Sequence, residues 1–375
     1  MSSYAVRAQE SLQEVALREI LHRGAPILGT FEDCVTTGRF SDWMADIPSD
    51  TKLVHMNLPG THDTCTWNYT PAVQKSLERY TGPIPDSTVY RCQQHSIFKM
   101  LNEGIRVFDL RYAWNPGQDT IGFYHSLALL SPTTRMEDVF FGLYTWLDRH
   151  PTEAVLVSMN YEPGSGTRDD ARLQEHLYNI LHGELAKRYW IQTRGMLGTL
   201  GEARGKLTLI QRFNFDKLPG HLTERIGIHL DQKQWTVNGK SIALTYNAEK
   251  GHTAYIQDHY RLPPSPDSEN PQMCVDEKFG VIKAHLEKAI DQNLHPDQLY
   301  ISFASAAFRF EEPTLTPRAY ATGNGEDVPK GINHELLAWL QSNQGKRFGI
   351  ILFDFYDAIP GLLEAVIDQK VLSKI

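Results

Sequence analysis

The sequence has no apolar stretch long enough to cross a bilayer. Its longest unbroken run, Leu336 to Leu340, stops at Gln341, whereas a membrane helix needs about 20 residues. Cysteine is scarce: the four present, Cys34, Cys65, Cys92 and Cys274, show no CxxC spacing. That argues against a structural zinc motif and a disulfide-stapled fold, and predicts free thiols. Positive charge is in deficit, with 37 Lys and Arg against 45 Asp and Glu for a net −8. This is the wrong sign for a chain that gains affinity by neutralising many nucleic-acid phosphates, so no nucleic-acid partner is expected. The first residues, Met1 to Arg7, show no basic tip leading into an apolar core. No secretory signal is visible, and a cytoplasmic chain or a secreted one whose signal has been removed would both fit. A serine elbow, a Walker-type lysine loop, a His-Glu-x-x-His helix and internal repeats are also missing.

What is there is an ordinary globular composition, 41% hydrophobic and 22% charged over 375 residues, enough for two domains or one large barrel. Eight runs rich in β-branched and aromatic residues read as strands: Leu53 to Leu58, Ile105 to Leu110, Thr120 to Tyr124, Ala154 to Met159, Lys206 to Gln211, Thr253 to Gln257, Leu299 to Ala304 and Phe348 to Phe353. Helical spacing lies between most of them, as in Val139, Leu143, Trp146 and Leu147, or Phe279, Ile282, Leu286 and Ile290. Between the second and third runs only the turn Asn115-Pro116-Gly117 intervenes, with no room for a crossover helix. The pattern predicts an α/β fold, an irregular TIM-type (βα)8 barrel in a single domain. Residues 1–40 are expected to form an N-terminal helical extension, with Leu12, Val15, Ala16 and Ile20 on one face, and residues 41–375 the catalytic barrel. Two inserts, Asn214 to Lys250 and Phe308 to Lys330, read as loops.

In such a barrel the reactive groups gather at the carboxyl ends of the strands. There the sequence offers His62 and Asp63, Asp109 and Arg111, His125, Asn160, Arg212, Asp258 and Tyr260, Ser302 and Ser305, and Asp354. Polar groups in segments this apolar would cost about 1–3 kcal/mol each if buried unpaired, so they are expected to share one polar cavity. Two histidines, several carboxylates and two guanidiniums suit phosphoryl chemistry. One imidazole takes a proton from an attacking hydroxyl, the other gives one to the leaving oxygen, and a guanidinium balances charge on the phosphate. Asp109 fits two roles, a site carboxylate or a partner that holds Arg111. Gly323-Asn324-Gly325 reads as a plain turn, Cys65 as an inert thiol, and Glu311 with Glu312 as a solvated loop.

Leu58-Pro59-Gly60-Thr61-His62-Asp63, Gly104 to Arg111, Tyr124-His125, Thr152 to Ser158, Arg204 to Leu207, Gln211-Arg212-Phe213, Gln257 to Tyr260 and Leu352 to Phe355 occur in that order. From about Trp43 onward the chain thereby resembles the X-type catalytic domain of phosphatidylinositol-specific phospholipase C, in its bacterial, metal-independent branch. The resemblance implies a lyase that releases diacylglycerol and inositol 1,2-cyclic phosphate, with no cofactor and no metal. It implies His62 as base, oriented by Asp354, His125 as acid, assisted by Asp63, and Arg111 on the phosphate, in place of the ligand that calcium-dependent relatives carry. Arg212, Asp258 and Tyr260 would meet the inositol. Asn160 stands where the bacterial pattern has a lysine, and Ser126 where it has a glycine after the acid. Expected partners are phosphatidylinositol or a related inositol phosphodiester and a membrane surface touched peripherally by a monomer. Two alternatives stay open: a phosphodiesterase for another head group, and a catalytically silent barrel that binds phosphoinositides or glycans.

Overall fold

Successive residues of a strand face opposite ways, so in a barrel every second residue points into the interior. A computed structural model of the chain describes residues 3–262, 270–291, 293–310 and 314–367. Its strands are β1 (Leu58–Thr61), β2 (Val107–Trp114), β3 (Ile121–His125), β4 (Ala128–Leu129), β5 (Ala154–Tyr161), β6 (Lys206–Gln211), β7 (Ile228–His229), β8 (Ile242–Asn247), β9 (His252–Gln257), β10 (Leu299–Phe303) and β11 (Ile350–Phe353). They run in the order β7-β6-β5-β2-β1-β11-β10-β9-β8. Neighbours are parallel from β7 to β9, and β8 is antiparallel on the end. Leu58, Val107, Leu156, Ile210, Ile228, Ile256, Ile301 and Leu352 meet in one buried cluster, as only a sheet curled back on itself allows. Among the described residues β7 and β8 do not pair, so the cylinder is open between them. The outward residues Phe108, Leu110, Val155, Val157, Leu207, Leu209, Ile351 and Phe353 join a second cluster with the surrounding helices, each large side chain contributing about 1.5–3 kcal/mol by burial.

The fifth expected strand coincides with β6 at both ends, and the others differ for identifiable reasons. Leu53–His55 is a 3-10 turn, and β1 begins only at Leu58. Leu53 and Met56 are apolar because they pack beneath the barrel, not because they sit in its ladder. Gly60 is confined by its neighbours: a Cβ there would lie 2.5 Å from Leu352 Cδ2 and 2.8 Å from Val107. The third expected strand exists as β3 but is antiparallel to β2, because a tight turn can only fold a chain back on itself. It is a hairpin branching off the barrel. The eighth parallel position belongs to β7, which lies with β8 in the Asn214 to Lys250 stretch that reads as loop. A two-residue strand leaves no periodicity to detect. The second insert likewise holds a helix, Pro317–Thr322, capped by Thr316. Glu311 and Glu312 lie outside the described residues.

The N-terminal helix, Ser3–Leu28, also corrects a reading. Leu12 and Val15 are exposed, at 69% and 54%. The buried stripe comes later: Leu17, Leu21 and Leu28 pack into the outer core, where a Cβ on Gly142 would lie 2.5 Å from Leu28 Cδ1. Trp67 Nε1 donates to Ile27 O at 2.9 Å, which fastens the helix to the segment after β1. Among the described residues no helix is long and apolar enough to cross a membrane. All four cysteines are buried free thiols, and burial pushes the Cys65 thiol well up, away from nucleophilic use.

Beneath the barrel, Arg106 pairs with Glu153 at 2.7 Å, both fully buried. The guanidinium also donates to the carbonyls of Phe40, Ser41, Leu101 and Ile105. Removing the cation strands a buried carboxylate, so Arg106→Met is expected to lower stability by about 3–5 kcal/mol. Urea denaturation measures this, and an unchanged midpoint would contradict it.

Candidate active site

The inward stripes change character at one height. Leu58 and Gly60 lead to His62, Val107 to Asp109 and Arg111, Leu156 to Ser158 and Asn160, Ile210 to Arg212, Ile256 to Asp258, and Leu352 to Asp354. Parallel register keeps the levels aligned: Asp109 lies beside Ser158 and Arg111 beside Asn160. An aliphatic barrel interior thus ends in a polar mouth.

His62 Nδ1 donates to Asp354 Oδ1 at 2.9 Å, and Arg111 donates to His62 Nε2 at 2.8 Å. A guanidinium can only donate, so His62 is neutral with its proton on Nδ1 and a lone pair on Nε2. Burial first, then the Arg111 charge, holds its pKa well below the ordinary imidazole value. His125 lies across the mouth, its ring 6.2 Å from that of His62, and its Nδ1 donates to Tyr90 O at 2.6 Å. Burial and Arg111 push it down to about 3. His125 ends the β3 hairpin rather than a barrel strand, and so approaches the mouth from outside the cylinder.

Asp63 joins these groups. Its Oδ2 is 3.2 Å from Nε2 of each histidine and 3.1 Å from Arg111, yet it forms no aligned hydrogen bond with any of them. The charge of Arg111 holds the junction. Burial raises the Asp63 carboxyl well above its ordinary value against the pull of Arg111, and burial with Asp63 nearby does the same to Asp354. Arg111 resists its own desolvation because Asp63, Asp109 and Glu162 surround it, and its pKa is raised. Asp109 partners both cations, 3.4 Å from Arg111 Nε and 3.1 Å from Arg212.

The far side of the mouth is aromatic. Arg212 stacks 4.1 Å over Trp235, whose Nε1 donates to Asp258 at 2.8 Å. Phe303 meets the rings of both Trp235 and His62 edge-on. Tyr260 is half-buried, its amide held by Asn238 Oδ1 at 2.8 Å. Asn160 is buried, and its Oδ1 has no partner. His62, Asp63, Arg111, His125, Arg212, Asp258 and Asp354 thus gather at one mouth, with Asn160 beside Arg111 in the ladder, whereas Tyr260 is tied to its surroundings through its amide and the Arg261 side chain. Sequence reasoning missed four others: Trp235, Phe303, Gln93 and Lys278. Gln93 donates to His62 O at 2.7 Å and Phe353 O at 2.8 Å. Lys278 carried a signal, since Val275, Lys278, Ile282 and Leu286 share one helical stripe and a lysine breaks its apolar run. The donor atoms of His62, Asp63 and Cys92 come within 4.8 Å of one another, but Arg111 borders two of those three residues and opposes a cation there.

No protein-family model matches the chain. It is similar to an enzyme of Listeria monocytogenes named 1-phosphatidylinositol phosphodiesterase, 25% identical over 324 residues, which are 86% of this chain and 83% of the relative. A protein of the same name from Staphylococcus aureus is 21% identical over 320 residues, 84% of this chain and 88% of the relative. The fold matches a solved double mutant of the Staphylococcus aureus phosphatidylinositol-specific phospholipase C with a TM-score of 0.69 at 20% identity, covering 89% of this chain and 97% of that one.

Acid should weaken the fold through His125. Its folded pKa lies below the unfolded value of 6.5, so between pH 6.5 and about 3 the unfolded chain binds a proton that the folded chain refuses. The stability this imidazole contributes is lost as pH falls through that window. Urea midpoints are expected to drop from pH 7 to 4.5 more in the wild type than in His125→Asn. The raised carboxyls act in the opposite sense but are common to both proteins, so the difference isolates the imidazole; equal drops would refute this.

Proposed function

We propose that this chain is a metal-independent phosphatidylinositol-specific phospholipase C, which cleaves phosphatidylinositol into diacylglycerol and inositol 1,2-cyclic phosphate. The observation that carries this reading is the pair of imidazoles on either side of Asp63, one of which turns its Nε2 lone pair to Arg111. His62 takes the proton of the inositol 2-hydroxyl, and that oxygen attacks phosphorus. The bond from phosphorus to the diacylglycerol oxygen breaks, and His125, protonated, hands its Nε2 proton to that oxygen. Arg111 exchanges its contact with His62 for the phosphate, whose charge it balances. Burial lowers His125 most and Arg111 next; an anionic phosphodiester beside Arg111 offsets the second of these and so favours the protonated imidazole that must donate. Asp354 keeps His62 in the reactive tautomer, and the Tyr90 carbonyl does so for His125.

Arg212, Asp258 and Tyr260 are assigned to the head group, with Asn160 beside Arg111. Their unpaired buried atoms, among them Asn160 Oδ1 and Arg212 Nε, call for donors and acceptors spaced around a polyol ring. Choline and ethanolamine esters offer neither these nor an adjacent hydroxyl to attack phosphorus. Asn160 in place of a lysine is the one feature that favours another phosphodiester head group, and a panel of lipids separates the two. Leu127, two residues beyond His125, and Val237, beside Asn238, are exposed at 48% and 71%, which suits a monomer that meets the membrane with its mouth. Residues 1–40 act as a helical extension of a catalytic barrel spanning 41–375.

His62→Ala and His125→Ala are each expected to lose about 10²–10⁴-fold in turnover, and the first product seen by phosphorus NMR should be cyclic. A folded variant with near-normal turnover, or an acyclic first product, would sink the assignment. Chelator should leave activity unchanged and Arg111→Lys should impair it, because an ammonium lacks the two-pronged fork for phosphate oxygens. Activity that appears only with added Ca²⁺ would overturn the metal-independent reading.

A further inference from the structure

Lys278 is fully buried on the helix Gln272–Ile290, and the mechanism above gives it no task. A buried ammonium is costly unless its hydrogens and charge are answered. Its Nζ donates to Gln257 Oε1 at 3.1 Å and to His259 O at 2.6 Å. These two residues flank Asp258 in sequence. The Gln257 side chain also accepts from His259 N at 2.8 Å and donates to Phe303 O at 3.0 Å. The end of β9 is thus stapled to its own turn, to β10 and to the helix behind it, while Asp258 points the other way, onto Trp235.

We infer that Lys278 is a positioning residue for head-group recognition: from behind the barrel wall it fixes Asp258 and Tyr260 and adds a positive charge that draws the phosphodiester anion into the mouth. This rests on the functional reading above. The charges it faces are Asp258 on the β9 turn and Asp354 beyond β11, with His62 feeling its field from beyond β1. Asp258 in turn feels Arg212 and Arg111. On its own helix, Glu277 is engaged by Lys240 at 3.1 Å and approached by His259 at 3.5 Å. Burial, opposed by Asp258 and Asp354, brings the lysine down to about 7. Above that pH a neutral amine keeps two hydrogens for its two acceptors but loses its charge, so the staple persists while the attraction fades.

The test measures KM and kcat for phosphatidylinositol in mixed micelles from pH 5.5 to 8.5. Wild-type KM should rise about tenfold across pH 7, with kcat changing less. Lys278→Met should show the raised KM at every pH, and Lys278→Arg should keep KM low and remove the alkaline rise. A folded Lys278→Met with wild-type KM and wild-type pH dependence overturns the inference. If neither variant folds, Gln257→Met, which removes one acceptor of the staple and leaves the lysine charge, decides: a raised KM that keeps the wild-type pH dependence supports the inference and an unchanged KM overturns it. A wild type that cleaves no phosphatidylinositol overturns the functional reading instead, whereas cleavage with a flat KM overturns this inference alone.

Discussion

The mouth of the barrel depends on the charge of Arg111. Asp63, Asp109 and Glu162 lie 3.1, 3.4 and 3.8 Å from its guanidinium, and no two of these carboxylates could share so small a buried volume without it. Desolvating such ions costs several kcal/mol apiece, which only close pairing offsets. Because the same guanidinium also donates to His62, electrostatic stability and imidazole geometry are one constraint. Moving Arg111 would release the carboxylates and the base together.

The backbone around these groups is strained in a matching pattern. Asp63 itself, Ser126 after His125 and Phe355 after Asp354 all have φ between 41° and 51°, a left-handed conformation that costs a non-glycine residue about 1–2 kcal/mol. Each turns a strand end sharply enough to aim a side chain into the mouth. Neighbouring bonds hold two of these turns: Asp63 N donates to Asp109 at 3.2 Å, and Phe355 N to Cys92 O at 3.0 Å. The irregular segment 90–93 recurs in this role. Tyr90 O orients His125, Cys92 O pins the Asp354 turn, and Gln93 ties His62 to Phe353. One unstructured stretch therefore sets both imidazoles.

Much of this was legible because period 2 is a strong signal. The progression from Val107 through Asp109 to Arg111 shows an apolar interior giving way to charge, and His62, Arg212, Asp258 and Asp354 stood out as polar residues at the carboxyl ends of apolar runs. Segment 90–93 was not legible, since Tyr90 and Cys92 act there through main-chain carbonyls that any residue supplies, and Gln93 through a side-chain amide that no period or motif marks. β7 was hidden because two residues have no period. The β3 hairpin was visible as a strand but not as an outsider to the barrel, although the six residues between β2 and β3 are too few for a parallel neighbour. Trp235 was obscured by the insert around it, where β8 alternates buried and exposed residues like any edge strand.

The balance of charge bears on how such a mouth can accept an anion at all. Asp63, Asp109, Glu162, Asp258 and Asp354 are five carboxyls, against the three cations Arg111, Arg212 and Lys278. Fully ionised, the mouth would be negative and would repel a phosphodiester. Burial raises Asp63, Asp258 and Asp354 above the ordinary carboxyl range, which lessens that negative charge. Asp63 Oδ2 is answered by the Arg111 guanidinium at 3.1 Å, and Asp354 Oδ1 accepts from His62 while its other oxygen has no hydrogen-bond partner. A carboxyl that carries a proton is also a hydrogen-bond donor. Asn160 adds no charge to this balance and leaves a buried amide oxygen without a partner beside Arg111.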